Sequence, residues 1–184
     1  MGPILIGLTS NRSELVKPPW VFPAPRMWRM KLAFTHHYPA NPSEVAALLR
    51  NEAFLADVAQ HAGAIAHSSS IGEDTTLSMT LPAPENARRF VGTTIPVRLV
   101  FTMAEPDEMG QVSGAVLLLV DGAPVEAGAR VSLTPQGEHT VGQYDGDLTV
   151  RVPLVGRKVE QTVEPFVIDA FGGIQRRAND WLSR

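Results

Sequence analysis

Two adjacent histidines, His36-His37, are the first residues here whose type and spacing invite chemistry, because paired imidazoles bind metals. They fail as a pair. Leu32, Phe34, His36 and Tyr38 alternate with Lys31, Ala33, Thr35 and His37, which predicts a strand, and neighbours in a strand point to opposite faces. His61, His67 and His139 add no ligand spacing, and the chain has no cysteine. No metal site, cofactor, disulfide framework or thiol nucleophile is therefore expected. His36 shares its face with Leu32 and Phe34, so it is a candidate polar group of a cavity, or else a histidine hydrogen-bonded in the core or at its rim.

Other chemistry-bearing residues are no stronger. There is no G-x-S-x-G, and the run Ser68-Ser69-Ser70 falls at a strand end before a turn. Gly172-Gly173 does not follow a strand into a helix, so it is no phosphate-binding loop. Within a helix the two glycines instead suggest a close approach to a sheet or a hinge, at about 1 kcal/mol each relative to alanine. Arg98, Glu126, Arg130 and Arg151 lie in predicted strands. Pointing inward they would anchor a ligand carboxylate or hydroxyl; the outer face, where long charged side chains belong, is the expected place.

The elements that position these residues can be read in order. After the first strand, Asn41 caps a helix with Pro42 at its first position, Glu44 in its first turn and Val45, Leu48 and Leu49 inward. Asn51-Glu52 marks a break before a second helix, Ala53–His61, stopped by Gly63. Strands follow at Ala64–Ser70 and Thr75–Leu81, then a polar loop at Pro82–Gly92 with room for a helical turn. Ile95–Met103, Val112–Val120 and Val125–Leu133 alternate or run apolar, with Asp121-Gly122 and Pro135-Gln-Gly137 as hairpin turns. A strand from His139 to Val152, bulged near Gly146, completes the set. Finally Val155, Val159, Val163, Phe166, Ala170, Ile174 and Trp181 form one helical stripe, with Pro165 placed to bend that helix around the sheet. One strand, two helices, six strands and a long helix make an α+β domain.

Composition bounds the rest. With 184 residues and 44% hydrophobic residues the chain has the size of one domain and can bury about 70% of its unfolded surface. The 16 basic and 19 acidic residues are mixed along it, and no basic run is present to neutralise a row of phosphates, so nucleic acid is not an expected partner. The longest uncharged apolar run, Ala115–Val120, is far short of the roughly 20 residues of a membrane span. Residues 1–29 carry five prolines and no sustained period, and are expected to be a disordered extension ahead of a domain at 30–184. Without a basic, cleavable leader pattern and without cysteine, a cytoplasmic location is expected.

Three segments carry a likeness to a known family: YPANPSEVAALLRNEAFL, ARRFVGTTIPV and GDLTVRVPLVGRKVEQTV, the last with its VPLVG junction before Lys158, Val159 and Glu160. The chain resembles the START-like helix-grip (SRPBCC) superfamily, which includes polyketide cyclases, plant pathogenesis-related proteins and lipid-transfer domains, and within it the bacterial DUF2505 family. The resemblance implies a curved seven-stranded antiparallel sheet gripped by the C-terminal helix, with a hydrophobic cavity between them. Periodicity alone is equally satisfied by a solid core. On the implied cavity, Phe34, His36, Leu99, Phe101, Val159, Val163, Phe166 and Ala170 are the expected lining. The expected function is binding or carriage of a lipid-like or polycyclic apolar small molecule, without catalysis. A cyclase or dehydratase using His36, Glu126 or Arg98 and a protein-interaction module using the Pro-rich N-terminus are the alternatives.

Overall fold

The computed structural model describes residues 28–83, 85, 88, 92–123, 125–150 and 156–184, with the side chains of residues 28, 29, 150 and 156–167 outside the description. Its elements are β1 (Trp28–Tyr38), α1 (Pro42–Leu48), α2 (Glu52–His61), β2 (Ala66–Ile71), β3 (Thr75–Pro82), β4 (Thr94–Met103), β5 (Val112–Val120), β6 (Val125–Gln136), β7 (His139–Val150) and α3 (Gly156–Leu182). The expected N-terminal extension therefore lies outside the described residues up to residue 27, while Trp28 and Arg29 already pair in the sheet with Val150 and Thr149. Arg151, the junction up to residue 155 and most of the loop after β3 also lie outside.

The short helices form for local reasons. Asn41 accepts from the Glu44 N–H at 3.0 Å while the Glu44 carboxylate accepts from the Asn41 N–H at 3.1 Å, a reciprocal cap that satisfies two otherwise orphan donors. Asn51 caps α2 by accepting from Ala53 and Phe54. At the other end Gly63, with φ of 76°, lets its own N–H reach Gln60 and the Ala64 N–H reach Ala59, the paired closure that a left-handed residue makes possible.

The seven strands form one curved antiparallel sheet in the order β1-β7-β6-β5-β4-β3-β2. Alternation puts Leu77, Met79, Val97, Leu99, Phe101, Val116, Leu118, Ala127, Ala129, Val131 and Leu148 on the buried face. Arg98, Glu126 and Arg130 have the opposite parity and lie on the other face, as expected for long charged side chains; Arg98 there pairs with Asp121 at 2.7 Å beside an open cleft of about 280 Å³. The helix α3 packs on β1, α1 and α2, and so grips the sheet from its β1 side.

Four expectations need correction. No bulge interrupts β7: Gly146 pairs with Leu32 and Ala129 in unbroken registers. The glycine is there because a Cβ would run into the Gly128 carbonyl and the Ala129 backbone, so the strands approach too closely for a side chain. The last hairpin turns on Gly137-Glu138, between Gln136 and His139, with Gly137 at φ of 65°; Pro135 stays in β6 beyond the Val112↔Leu133 pair that ends the β5 ladder. On α3 the buried stripe is Phe171, Ile174 and Ala178, while Ile168, Asp169 and Ala170 are exposed. Phe166, Ala170 and Ile174 are spaced four apart, and each such step drifts about 40° at 3.6 residues per turn; steps of three and four from Phe171 hold the stripe. Nor do Gly172 and Gly173 meet the sheet, since the described group nearest a Cβ at either would be the Arg176 guanidinium.

Candidate functional site

The inward residues of β1 build the site. Phe34 stands opposite Tyr144 and His36 opposite Gly142 on β7. Because Gly142 has no side chain, the Tyr38 and Tyr144 rings close over it: a Cβ there would lie 3.1 Å from Tyr38 and 3.3 Å from Tyr144. In that gap the two phenolic oxygens meet at 2.9 Å, and the Tyr38 oxygen also lies 2.9 Å from His36 Nδ1. His36, Tyr38 and Tyr144 thus form a buried hydrogen-bonded chain.

Aromatic rings enclose that chain. Phe34 stacks on Tyr144 with centroids 4.8 Å apart and planes 16° apart, and His36 lies 4.7 Å from Tyr144. Phe171 closes the cluster from α3, 4.9 Å from Phe34 and tilted by 40°. Helix and sheet touch directly at this point. Just beyond, Thr140 donates its hydroxyl to the Ala40 carbonyl at 2.7 Å and fixes the exit from β1 into α1.

The electrostatics follow from the enclosure. Burial, helped by repulsion from the neighbouring His37, lowers the His36 pKa from 6.5 to about 4, so the imidazole is neutral at pH 7. Burial first, then Tyr144, pushes Tyr38 well above the usual phenol range; burial also raises Tyr144, opposed in part by its hydrogen bond with Tyr38. All three groups are uncharged near neutrality. Among the described residues, only Nδ1 of the His36 ring has a hydrogen-bond partner, so Nε2 is the unpartnered end of the chain.

A second polar cluster ties α3 down. Asp57 on α2 accepts from Arg177 Nε at 2.8 Å and lies 3.3 Å from His61, and Arg177 also reaches Asp180 at 2.7 Å. This cluster positions the helix on α2.

Of the expected lining, the structure brings Phe34 and His36 into this one cluster. Leu99 and Phe101 are buried on the same face but on β4, four strands from β1, or roughly 19 Å along the sheet at the usual strand spacing. The side chains of Val159, Val163 and Phe166 lie outside the described ones, and Ala170 is exposed, its expected place taken by Phe171. Glu126 and Arg98, considered as catalytic groups, are on the opposite face of the sheet from His36. Sequence reasoning missed Tyr144 and Phe171. The signal available for Tyr144 was its place between Gly142 and Gly146 on one strand face. Among the described residues no group of three His, Asp or Glu side chains is set to hold a metal, and no helix is long and apolar enough to cross a membrane.

Comparison with known proteins agrees with this frame. A family model described as "Protein of unknown function (DUF2505)" matches residues 33–182. No curated protein matches the chain. Among solved structures, a STAR-related lipid transfer protein from Xanthomonas axonopodis is similar at 14% identity and TM-score 0.57, covering 84% of this chain and 86% of that one. The di-domain ARO/CYC StfQ of the steffimycin biosynthetic pathway is similar at 11% identity and TM-score 0.59, over 84% of this chain and 51% of that one. Norcoclaurine synthase from Thalictrum flavum is similar at 14% identity and TM-score 0.53, over 95% and 97%. Identities this low establish a shared START-like fold.

Proposed function

This chain belongs to the DUF2505 family and has a START-like fold, and from that premise we propose that it is a small-molecule binding protein that holds an apolar, lipid-like or polycyclic ligand between the sheet and α3. The observation that carries the reading is the His36–Tyr38–Tyr144 chain set into an otherwise apolar face. Apolar walls with one or two placed polar groups are the composition of a ligand site, since shape and burial supply affinity while the polar group fixes orientation. A solid core gains nothing from an imidazole nitrogen left without a partner, because an unmade buried hydrogen bond costs about 1–3 kcal/mol. The names of the similar structures, a lipid transfer protein, an ARO/CYC protein and a synthase, are those of proteins that handle small molecules.

Binding is favoured over catalysis by the same imidazole. A pKa of about 4 makes His36 a weak base at neutral pH, whereas a general base works best with a pKa near the operating pH. The test is native mass spectrometry of protein purified without detergent, followed by organic extraction. A copurifying apolar molecule, or saturable uptake of Nile red, is the expected result. A bare protein mass together with no dye uptake would remove the reading.

A further inference from the structure

We infer that the His36–Tyr38–Tyr144 chain is a reversible recognition point for one uncharged oxygen function, a carbonyl or a hydroxyl, on an apolar ligand. The inference rests on the binding reading above and adds the chemical class of what is bound. It comes from counting protons. Each neutral group carries one mobile hydrogen, and the chain contains two bonds, both 2.9 Å long. In one direction Tyr144 donates to Tyr38 and Tyr38 donates to His36 Nδ1. The imidazole hydrogen then sits on Nε2, which becomes a donor suited to a carbonyl oxygen. In the other direction Nδ1–H donates to Tyr38 and Tyr38 donates to Tyr144. Nε2 is then bare, an acceptor suited to a ligand hydroxyl.

The direction of the chain and the tautomer of His36 are thus one variable, and the unpartnered Nε2 is where a ligand reads it. Passing between the two states takes rotation of two hydroxyls and exchange of the imidazole hydrogen from one nitrogen to the other through water. No heavy atom has to move. The chain is also uncharged in both directions, so it gives a carboxylate or an ammonium no counter-charge to offset the loss of its hydration. Rings on three sides hold the imidazole plane in place: Phe34 at 5.1 Å, Tyr38 at 5.9 Å and Tyr144 at 4.7 Å.

Calorimetric titration of the full chain with four probes, naphthalene, 2-naphthol, 2-acetonaphthone and 2-naphthoate, tests this. The alcohol and the ketone should both bind at least about fivefold more tightly than naphthalene, one neutral hydrogen bond's worth, and the carboxylate at least about tenfold more weakly than the alcohol. Tyr38→Phe, which breaks the chain, should shrink the advantage of both oxygen probes over naphthalene measured in the same variant. Nitrogen NMR of the His36 imidazole in the unmutated protein gives a reading independent of any variant's folding. Nε2 should be protonated with 2-acetonaphthone bound and unprotonated with 2-naphthol bound. Naphthalene binding without any gain from oxygen, or the same tautomer with both probes, would overturn this inference and leave the apolar binding reading standing. Equal binding of 2-naphthoate would overturn it likewise. Failure of all four probes to bind would remove both.

Discussion

Trp181 donates its indole N–H to Asp57 Oδ2 at 2.9 Å, joining the last turn of α3 to α2 across 124 residues of sequence. The same oxygen accepts from Arg177, so one half-buried carboxylate holds two donors of the C-terminal helix. Burial works to raise the Asp57 pKa, but the hydrogen bonds from Arg177 and Trp181 and the charges of Arg177 and His61 outweigh it, and the net shift is downward. A depressed carboxylate stabilises the fold above its unfolded pKa, and that stability is lost as pH falls through the folded value. Asp57→Ala should therefore cost about 1–3 kcal/mol in urea denaturation at pH 7, and less below pH 3. Trp181→Phe, which keeps the ring near Phe54 but removes the donor, should cost about 1 kcal/mol.

His36 acts in the same direction for a different reason, since burial rather than ion pairing lowers its pKa. Its folded pKa of about 4 lies below the free value of 6.5, so the unfolded chain takes up the proton first. Between those values stability falls as pH falls, by up to about 3 kcal/mol, and below about pH 4 the contribution is constant. Denaturation at pH 7 and pH 4.5 measures it. His36→Phe should flatten that difference; an unchanged pH dependence in the variant would assign the slope to another group.

The two glycines where β6 meets β7 should behave differently. Gly146→Ala places a methyl against the Gly128 carbonyl and the Ala129 backbone, neither of which can swing aside, and should cost about 3 kcal/mol or leave the protein insoluble. Gly128→Ala meets Leu117 Cδ1 at 3.5 Å, an ordinary contact, and should stay within about 1 kcal/mol of the parent. Thermal melts of the pair decide whether close approach or mere strand flexibility explains the glycine at each position.

Phe171 and Ala170 make a paired test of how α3 is seated. Phe171 is 4% exposed and lies against Phe34 and Tyr144, so Phe171→Ala should lose about 3 kcal/mol and disturb the near-ultraviolet signal of the tyrosines. Ala170→Phe, on the exposed side, should change stability by no more than about 0.5 kcal/mol. The reverse ranking would mean that the helix is rotated by about one residue, some 100°.

Local chemistry was readable from the sequence; register and rotation were not. Asn41, Glu44, Asn51 and Gly63 declared the two short helices because a cap is made within three or four residues of itself. The strands declared themselves by period two, and His36 was put on the inward face by the parity of Leu32. Tyr144 was a different matter, for its partnership with Tyr38 spans 106 residues and depends on which β7 residue stands opposite Phe34. A shift of one residue would have turned it to the other face. Ala170 was misplaced because apolar residues four apart look like a stripe on paper, while a real helix turns them steadily away.

The seating of β1 beside β7 has a consequence for how the chain reaches this shape. Strands β3 to β7 each pair with the strand before them in sequence, so β2 to β7 can zip together as they emerge. By contrast, β1 must wait: its partners run from Trp28↔Val150 to Tyr38↔Thr140, and no part of it can dock until residues 139–150 exist. Closing a loop of that length before any contact rewards it makes this the slow step of folding. During that wait the inward aromatics Phe34 and Tyr38 and the free edge of β7 are both uncovered, an interval in which a ribosome-bound chain is most open to a chaperone or to a neighbouring copy of itself.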